Sequence, residues 1–161
     1  MKLADHLVIR PLQRDDLEAV NAIIESCVMG WNLPERVKRL VLGSYRYNPH
    51  DLAHFDICLG ETTDGRIVGV AALEEAAPPD LPTGQSGLLL HGLYVDPAHQ
   101  HQGIGRRLLA AALASVRQQH KEGLLVKAQA DASGFFRAQG FIDLPVENEN
   151  RDYPHRWWKP V

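Results

Sequence analysis

Leu93-Tyr94-Val95-Asp96-Pro97-Ala98-His99-Gln100-His101-Gln102-Gly103-Ile104-Gly105-Arg106-Arg107-Leu108-Leu109 is the stretch on which the reading of this chain turns. An apolar run stops at Asp96-Pro97 and a polar loop follows. Two glycines then open a segment in which Ile104, Leu108, Leu109, Ala112, Leu113 and Val116 recur at helical spacing. The pattern predicts a strand, a loop, and a helix from Gly103 to about His120. The first N–H groups of a helix have no partner inside it, and the helix dipole adds partial positive charge at that end. Glycine lets an anion reach such a main chain with no Cβ in the way. Arg106 and Arg107 add formal charge at the same place, so the segment predicts an anion cradle. Two nucleotide motifs are excluded. Leu108 stands where a dinucleotide fingerprint needs its third glycine, and Arg106-Arg107 stand where a P-loop needs Lys-Ser/Thr.

Outward from this stretch, the preceding chain reads as strand (Leu7 to Pro11), helix opened by Asp15-Asp16, and a second helix from Pro34-Glu35 that Asn48-Pro49 ends. Two strands, Phe55 to Leu59 and Ile67 to Leu73, flank Asp64-Gly65, a strong hairpin signal. Residues 76–87 carry Pro78, Pro79 and Pro82 and read as a mobile loop before the strand Leu88 to Val95. After the long helix come a strand at Leu124 to Val126, a short helix from Ala132 to Gln139, a strand after Gly140-Phe141, and a last strand at Arg156 to Lys159. The order β-α-α-β-β-β-α-β-α-β-β describes one α/β domain over residues 1–161, built on a mixed, largely antiparallel sheet of six or seven strands with about four helices.

Composition agrees with a globular chain: 161 residues, 45% hydrophobic and 23% charged. Seventeen Lys and Arg against 20 Asp and Glu give a net charge of −3, which provides no overall pull on nucleic acid or an anionic membrane. An anionic ligand must be held by local geometry. Cys27 and Cys58 have no C-x-x-C spacing, so neither a disulfide framework nor a structural zinc site is expected. No long apolar run precedes the first strand, and the chain reads as soluble, unexported and cytoplasmic. His50 and His54 have the i, i+4 spacing of a helical zinc pair, but Asn48-Pro49 and the following strand leave little room for a helix, and no metal is expected.

Gln100-His101-Gln102-Gly103-Ile104-Gly105 resembles the Q/R-x-x-G-x-G/A pyrophosphate loop of the GNAT superfamily of acyl-CoA-dependent N-acetyltransferases. Ala132-Ser133-Gly134-Phe135-Phe136-Arg137-Ala138-Gln139-Gly140-Phe141 resembles the A-x-x-F-Y-x-x-x-G-F segment of the same family, and Val8 to Leu17 its first strand and helix start. The resemblance spans nearly the whole chain. It implies acetyl-CoA as co-substrate, with the diphosphate on the amides from Gln102 to Gly105 and on Arg106 and Arg107, and with Gln100 and His101 ahead of them. It implies pantetheine beside Leu93, Tyr94 and Val95, where two strands splay apart, and CoA contacts from Ser133, Phe136 and Arg137. A Val95 backbone N–H would face the thioester oxygen, on which negative charge develops during acyl transfer.

A primary amine is mostly protonated at neutral pH, so acetyl transfer needs a base. His91 lies mid-strand on the face shared by Leu89, Leu93 and Val95, and an imidazole titrates near working pH. Glu74 and Glu75 end the preceding strand, and one of two successive residues must face the working side. The tyrosine that in this family commonly protonates the leaving thiolate is Phe136 here, and its asparagine is replaced by Gln129. CoA can leave as thiolate, because a thiol with a pKa near ~8.5 tolerates ionisation close to neutrality. The resemblance makes Trp31, Tyr45 and Trp157 or Trp158 contacts for a small-molecule or peptide amine. The tail aromatics leave room for a homodimer. A CoA-binding sensor without turnover is the alternative, motivated by Phe136.

Overall fold

The computed structural model describes residues 3–161. Its elements are β1 (Val8–Pro11), α1 (Leu17–Met29), α2 (Glu35–Tyr45), β2 (Asp56–Glu61), β3 (Ile67–Glu75), β4 (Gly87–Val95), α3 (Ile104–Gln118), β5 (Gly123–Lys127), α4 (Ser133–Ala138), β6 (Ile142–Leu144) and β7 (Arg156–Pro160), joined in places by single 3₁₀ turns. The order is the expected one. Seven strands form one mixed sheet, β1-β2-β3-β4-β5-β7-β6. β4 and β5 are parallel, whereas β1–β2, β5–β7 and β6–β7 are antiparallel. No helix among the described residues is long and apolar enough to cross a membrane. The chain divides into two compact units, Met1–Ala72 with Gly92–Leu109, and Leu73–His91 with Ala110–Val161.

In the first unit, α1 buries Val20, Ile23, Ile24, Cys27 and Val28, one stripe at three- and four-residue spacing, against Ile57, Leu59, Val70 and Tyr94. Each such side chain contributes about 1.5–3 kcal/mol on burial. Arg10 on β1 ties the start of α1 to β2: its guanidinium donates to both carboxylate oxygens of Asp16, at 2.8 and 3.0 Å, and also to Glu61. That guanidinium holds the Asp16 carboxyl below its ordinary range. Where α1 ends, the buried Lys38 of α2 donates its ammonium to the Met29 carbonyl at 2.6 Å, satisfying an acceptor that the helix leaves open. The Asp64-Gly65 signal is met by a turn between β2 and β3 with Gly65 at φ +86°.

In the second unit, the indole of Trp158 on β7 lies against the parallel β4–β5 ladder at two glycines. A Cβ on Gly123 would stand 2.3 Å from the indole, and one on Gly87 2.8 Å. No rotamer shift at position 123 relieves a clash with both the ring and the Lys159 carbonyl at 2.8 Å. Gly123→Ala is therefore expected to destabilise the fold by about 1–3 kcal/mol, read as a lower denaturant midpoint at unchanged slope. The segment 76–87 differs from the mobile loop expected from its prolines. Leu81 is buried, Asp80 pairs with Lys127 at 2.9 Å, and the Asp80 carbonyl accepts from Arg156 at 2.9 Å, so its middle is anchored. α4 ends in a Schellman motif: Gly140 has φ +86° and the Phe141 N–H donates to the Phe136 carbonyl at 3.1 Å.

Between β6 and β7 the chain folds around one buried carboxylate. Asp152 accepts from the N–H groups of Glu147 (3.0 Å) and Asn148 (3.1 Å) and from Arg151 (2.9 Å), with Arg156 at 3.4 Å. The Arg151 guanidinium, helped by these amides, holds its carboxyl well below the usual carboxylate range. The folded-state pKa is lowered, so this stabilisation is complete above the carboxyl's unfolded pKa and drains away as pH falls through the lowered one. Asp152→Asn should unfold at lower temperature than the wild type at pH 7, and the gap should narrow as pH is taken down through the ordinary carboxylate range; a gap independent of pH would contradict it.

Candidate acetyl-CoA site

The first unit contains the turn on which the sequence reading began. β4 alternates along its length: Leu88, Leu90, Gly92 and Tyr94 are buried, Leu89, Leu93 and Val95 half-buried, and His91 exposed. The Tyr94 ring joins the core cluster beside Tyr47 and Cys27, and burial pushes its phenol up. Only its backbone remains for a ligand, a restriction on the expected Tyr94 contact. The Val95–Asp96 peptide is held on both sides. Its N–H donates to the Val68 carbonyl of β3 at 2.8 Å, and its carbonyl accepts from the Cys27 thiol of α1 at 3.2 Å. Burial pushes that thiol up to about 11. It is a neutral donor, not a nucleophile.

Asp96 then caps the 3₁₀ turn Pro97–His99 by accepting from the Ala98 N–H at 3.0 Å, with the half-buried His99 Nδ1 3.5 Å from its carboxylate. The chain reverses through two left-handed residues, His101 at φ +63° and Gly103 at φ +83°, and enters α3. A positive φ on a histidine is uncommon and marks a turn whose backbone path is constrained. Ile104 and Leu108 are fully buried and seat the helix start on β3, where a Cβ on Gly69 would stand 2.7 Å from Leu108 and 3.0 Å from Ile104. An isolated glycine inside an apolar strand is the sequence signal for such a close approach, and it was readable at Gly69.

The glycine turn fits an anionic group. Gly103 has a main-chain conformation that side chains resist, the first-turn amides of α3 have no helical partners, and Gln100, His101 and Arg106 are exposed around them. A guanidinium nitrogen of Arg106 lies 3.6 Å from where a Gly103 Cβ would be, so this cation folds over the turn. Arg107 points elsewhere: it donates to the Ala4 carbonyl and, at 3.1 Å, to that of Leu7. That differs from the expected pairing of both arginines with a diphosphate. In the same unit Trp31 and Tyr45 meet edge to face, 5.1 Å between centroids, both half-buried.

The β4–β5 ladder runs from Gly87↔Gly123 to Leu90↔Val126, whereas β4 continues to Val95. Among the described residues the register on β5 thus covers Gly87 to Leu90 of β4.

In the second unit His91 is exposed at the end of that ladder, Glu74 is half-buried, and the Glu75 carboxylate, three-quarters exposed, pairs with Lys121 at 2.9 Å. Ser133 is half-buried and Arg137 exposed on α4. Phe136 is buried, stacked edge to face between Phe135 and Phe141 at 5.2 and 5.3 Å. Trp157 is 3% exposed, lies under the Arg137 guanidinium at 5.3 Å, and has a buried indole N–H without a partner among the described residues. A covered indole offers no acceptor wall, which corrects the expectation for Trp157. Trp158 is buried as well, so neither of these two indoles is open to a second copy of the chain.

A family model for the acetyltransferase (GNAT) domain matches residues 56–155, more than half of the chain and the part that contains β4, the glycine turn and α4. The chain belongs to the GNAT acetyltransferase family. Among solved structures, it is similar to the PaiA N-acetyltransferase of Thermoplasma acidophilum in complex with coenzyme A, with a TM-score of 0.74 at 16% identity over 96% of this chain and 99% of that one. A GNAT family acetyltransferase from Brucella melitensis in complex with acetyl-CoA gives 0.66 at 19% identity over 96% and 88%. AtaT complexed with acetyl-methionyl-tRNAfMet gives 0.62 at 20% over 96% and 94%. At these identities the likeness is one of fold, and it establishes this GNAT chain as α/β with the seven-stranded mixed sheet of the family. A sequence search of curated proteins finds no match.

Proposed function

We propose that residues 1–161 act as one acetyl-CoA-dependent N-acetyltransferase domain, transferring an acetyl group to a primary amine in a ternary complex. The observation that carries this reading is the turn at His101–Gly103 with Arg106 folded over it, at the start of α3. The relatives solved with coenzyme A or acetyl-CoA support that ligand for the turn. The amides from Gln102 to Gly105 would accept the diphosphate, Arg106 would neutralise part of its charge, and Gln100 and His101 would border it. The backbone of β4 at Leu93, Tyr94 and Val95 would hold the pantetheine amides, and the Val95 N–H would meet the thioester oxygen.

Bound acetyl-CoA supplies an acyl group activated as a thioester. The chain's part is to place the amine and move its proton. His91 is exposed on the half-open face of β4 and is the base of this proposal: its imidazole takes the ammonium proton, so that nitrogen can attack as the carbon–sulfur bond breaks. Glu74 is the second candidate, and Glu75, engaged by Lys121, the weakest. Trp31 and Tyr45 would contact the acceptor. The sensor reading is favoured by one observation, the buried hydrocarbon ring of Phe136 at the position where the family has a proton donor.

Calorimetry with coenzyme A tests the ligand: no heat at tens of micromolar would sink both readings. Thiol release from acetyl-CoA over a panel of alkylamines, amino sugars, peptides and aminoacyl-tRNA separates them, the last acceptor being included because of the AtaT complex. Tight binding without amine-dependent release would favour the sensor.

A further inference from the structure

We propose that Arg107 is a positioning residue that clamps the 3₁₀ turn Leu3–His6 behind the glycine turn, and that Arg106 alone of the two arginines meets the anion. The inference rests on the reading of that turn as the coenzyme A site. Arg107 is in the first turns of α3, where its own N–H donates to the Gly103 carbonyl at 3.1 Å. Its guanidinium spends one nitrogen on the Ala4 carbonyl and the other on the Leu7 carbonyl at 3.1 Å. Charge-assisted bonds of this kind are about twice as strong as neutral ones, and the planar fork of arginine suits two carbonyls at once better than a lysine ammonium does.

What is clamped bears on the turn. Ala4 and Leu7 are each 5% exposed. The Ala4 Cβ is 3.3 Å from where a Gly103 Cβ would stand, so Ala4 forms a back wall to the residue with φ +83°. The Leu7 side chain lies over Gly60 of β2, where a Cβ would be 2.9 Å away, and this seats the clamped segment on the sheet. A continuous set of contacts thus runs Gly60, Leu7, Arg107, Ala4, Gly103. Arg106 is one residue away with the opposite placement: exposed, over the turn, and with no ion pair or hydrogen bond among the described residues.

The two arginines therefore differ in how their loss should read out. Coenzyme A affinity is measured by calorimetry on the full chain from about 50 to about 500 mM salt, a range over which exposed charge pairs become screened. Arg106→Gln should flatten the dependence of log Kd on log salt. Arg107→Gln should raise Kd about five- to tenfold, equivalent to about 1–1.4 kcal/mol, while keeping the wild-type slope, and Arg107→Lys should recover part of that loss. Hydrogen exchange on the ligand-free protein provides an arm that does not depend on coenzyme A. Arg107→Gln should speed exchange within residues 3–7 and at the first amides of α3, and leave β5 and β7 unchanged; Arg106→Gln should alter neither. A flattened slope in Arg107→Gln, or unchanged exchange in residues 3–7, overturns the proposal. If the wild type binds no coenzyme A, the proposed function fails, and the exchange arm still decides whether Arg107 clamps this segment.

Discussion

His91→Gln is expected to lower kcat/KM for amine acetylation by about 10²–10⁴-fold, the range of a positioned general base, while the dissociation constant for coenzyme A stays near wild type. The distinguishing observation is the pH–rate profile. A base works only when unprotonated, so the wild-type rate rises with pH as an imidazolium loses its proton, and that limb should vanish in His91→Gln. Glutamine keeps a polar, hydrogen-bonding side chain at an exposed strand position, so the fold is little disturbed. Retention of the limb would move the base to Glu74, and Glu74→Gln would then be the variant that removes it. Glu75→Gln should matter less than either, because its carboxylate is three-quarters exposed and engaged by Lys121.

Gly103→Val should weaken coenzyme A binding by about 10–100-fold, equivalent to about 1.4–2.7 kcal/mol. Three effects add. A β-branched residue at φ +83° is strained, with a cost of about 1–2 kcal/mol for a left-handed L-residue. Its Cβ would press on Ala4 at 3.3 Å. The side chain would also push away the Arg106 guanidinium, 3.6 Å from that Cβ, and fill the space an anion needs. Gly43→Ala is the matched control, since a Cβ there meets nothing within 4 Å in α2; it should leave coenzyme A binding unchanged and stabilise the helix by up to about 1 kcal/mol. Calorimetry and thermal melts on the two variants check both statements. Equal affinity of Gly103→Val and wild type would remove the glycine turn from the ligand site.

Much of the fold could be read from the chain because its signals are local. Helical spacing on Leu17 to Cys27 and on Ile104 to Val116, the Asp64-Gly65 turn and Gly140 each fix φ, ψ and facing within a few residues. The glycine turn was legible for the same reason: strand end, loop, Gly103 and helix start are consecutive, and the anion cradle is a property of that local backbone. The prolines of residues 76–87 misled because anchoring is not local; Asp80 is held by Lys127 and Arg156, which are far along the chain. Trp157 misled because an aromatic residue carries the same sequence signal whether it walls a site or fills an interior.

The sequence by itself determined the element order, the glycine-opened start of α3 and the residue types available for acid–base work, since these depend on backbone preference and side-chain chemistry alone. Only the tertiary structure decided which of two adjacent arginines faces the turn, that the Cys27 thiol braces the Val95 carbonyl, and that the tail indoles are buried. Arg106 and Arg107 are chemically identical and one residue apart. They point about 100° apart on a helix, and what each meets is settled by segments about a hundred residues away in the chain, Ala4 and Leu7 for Arg107.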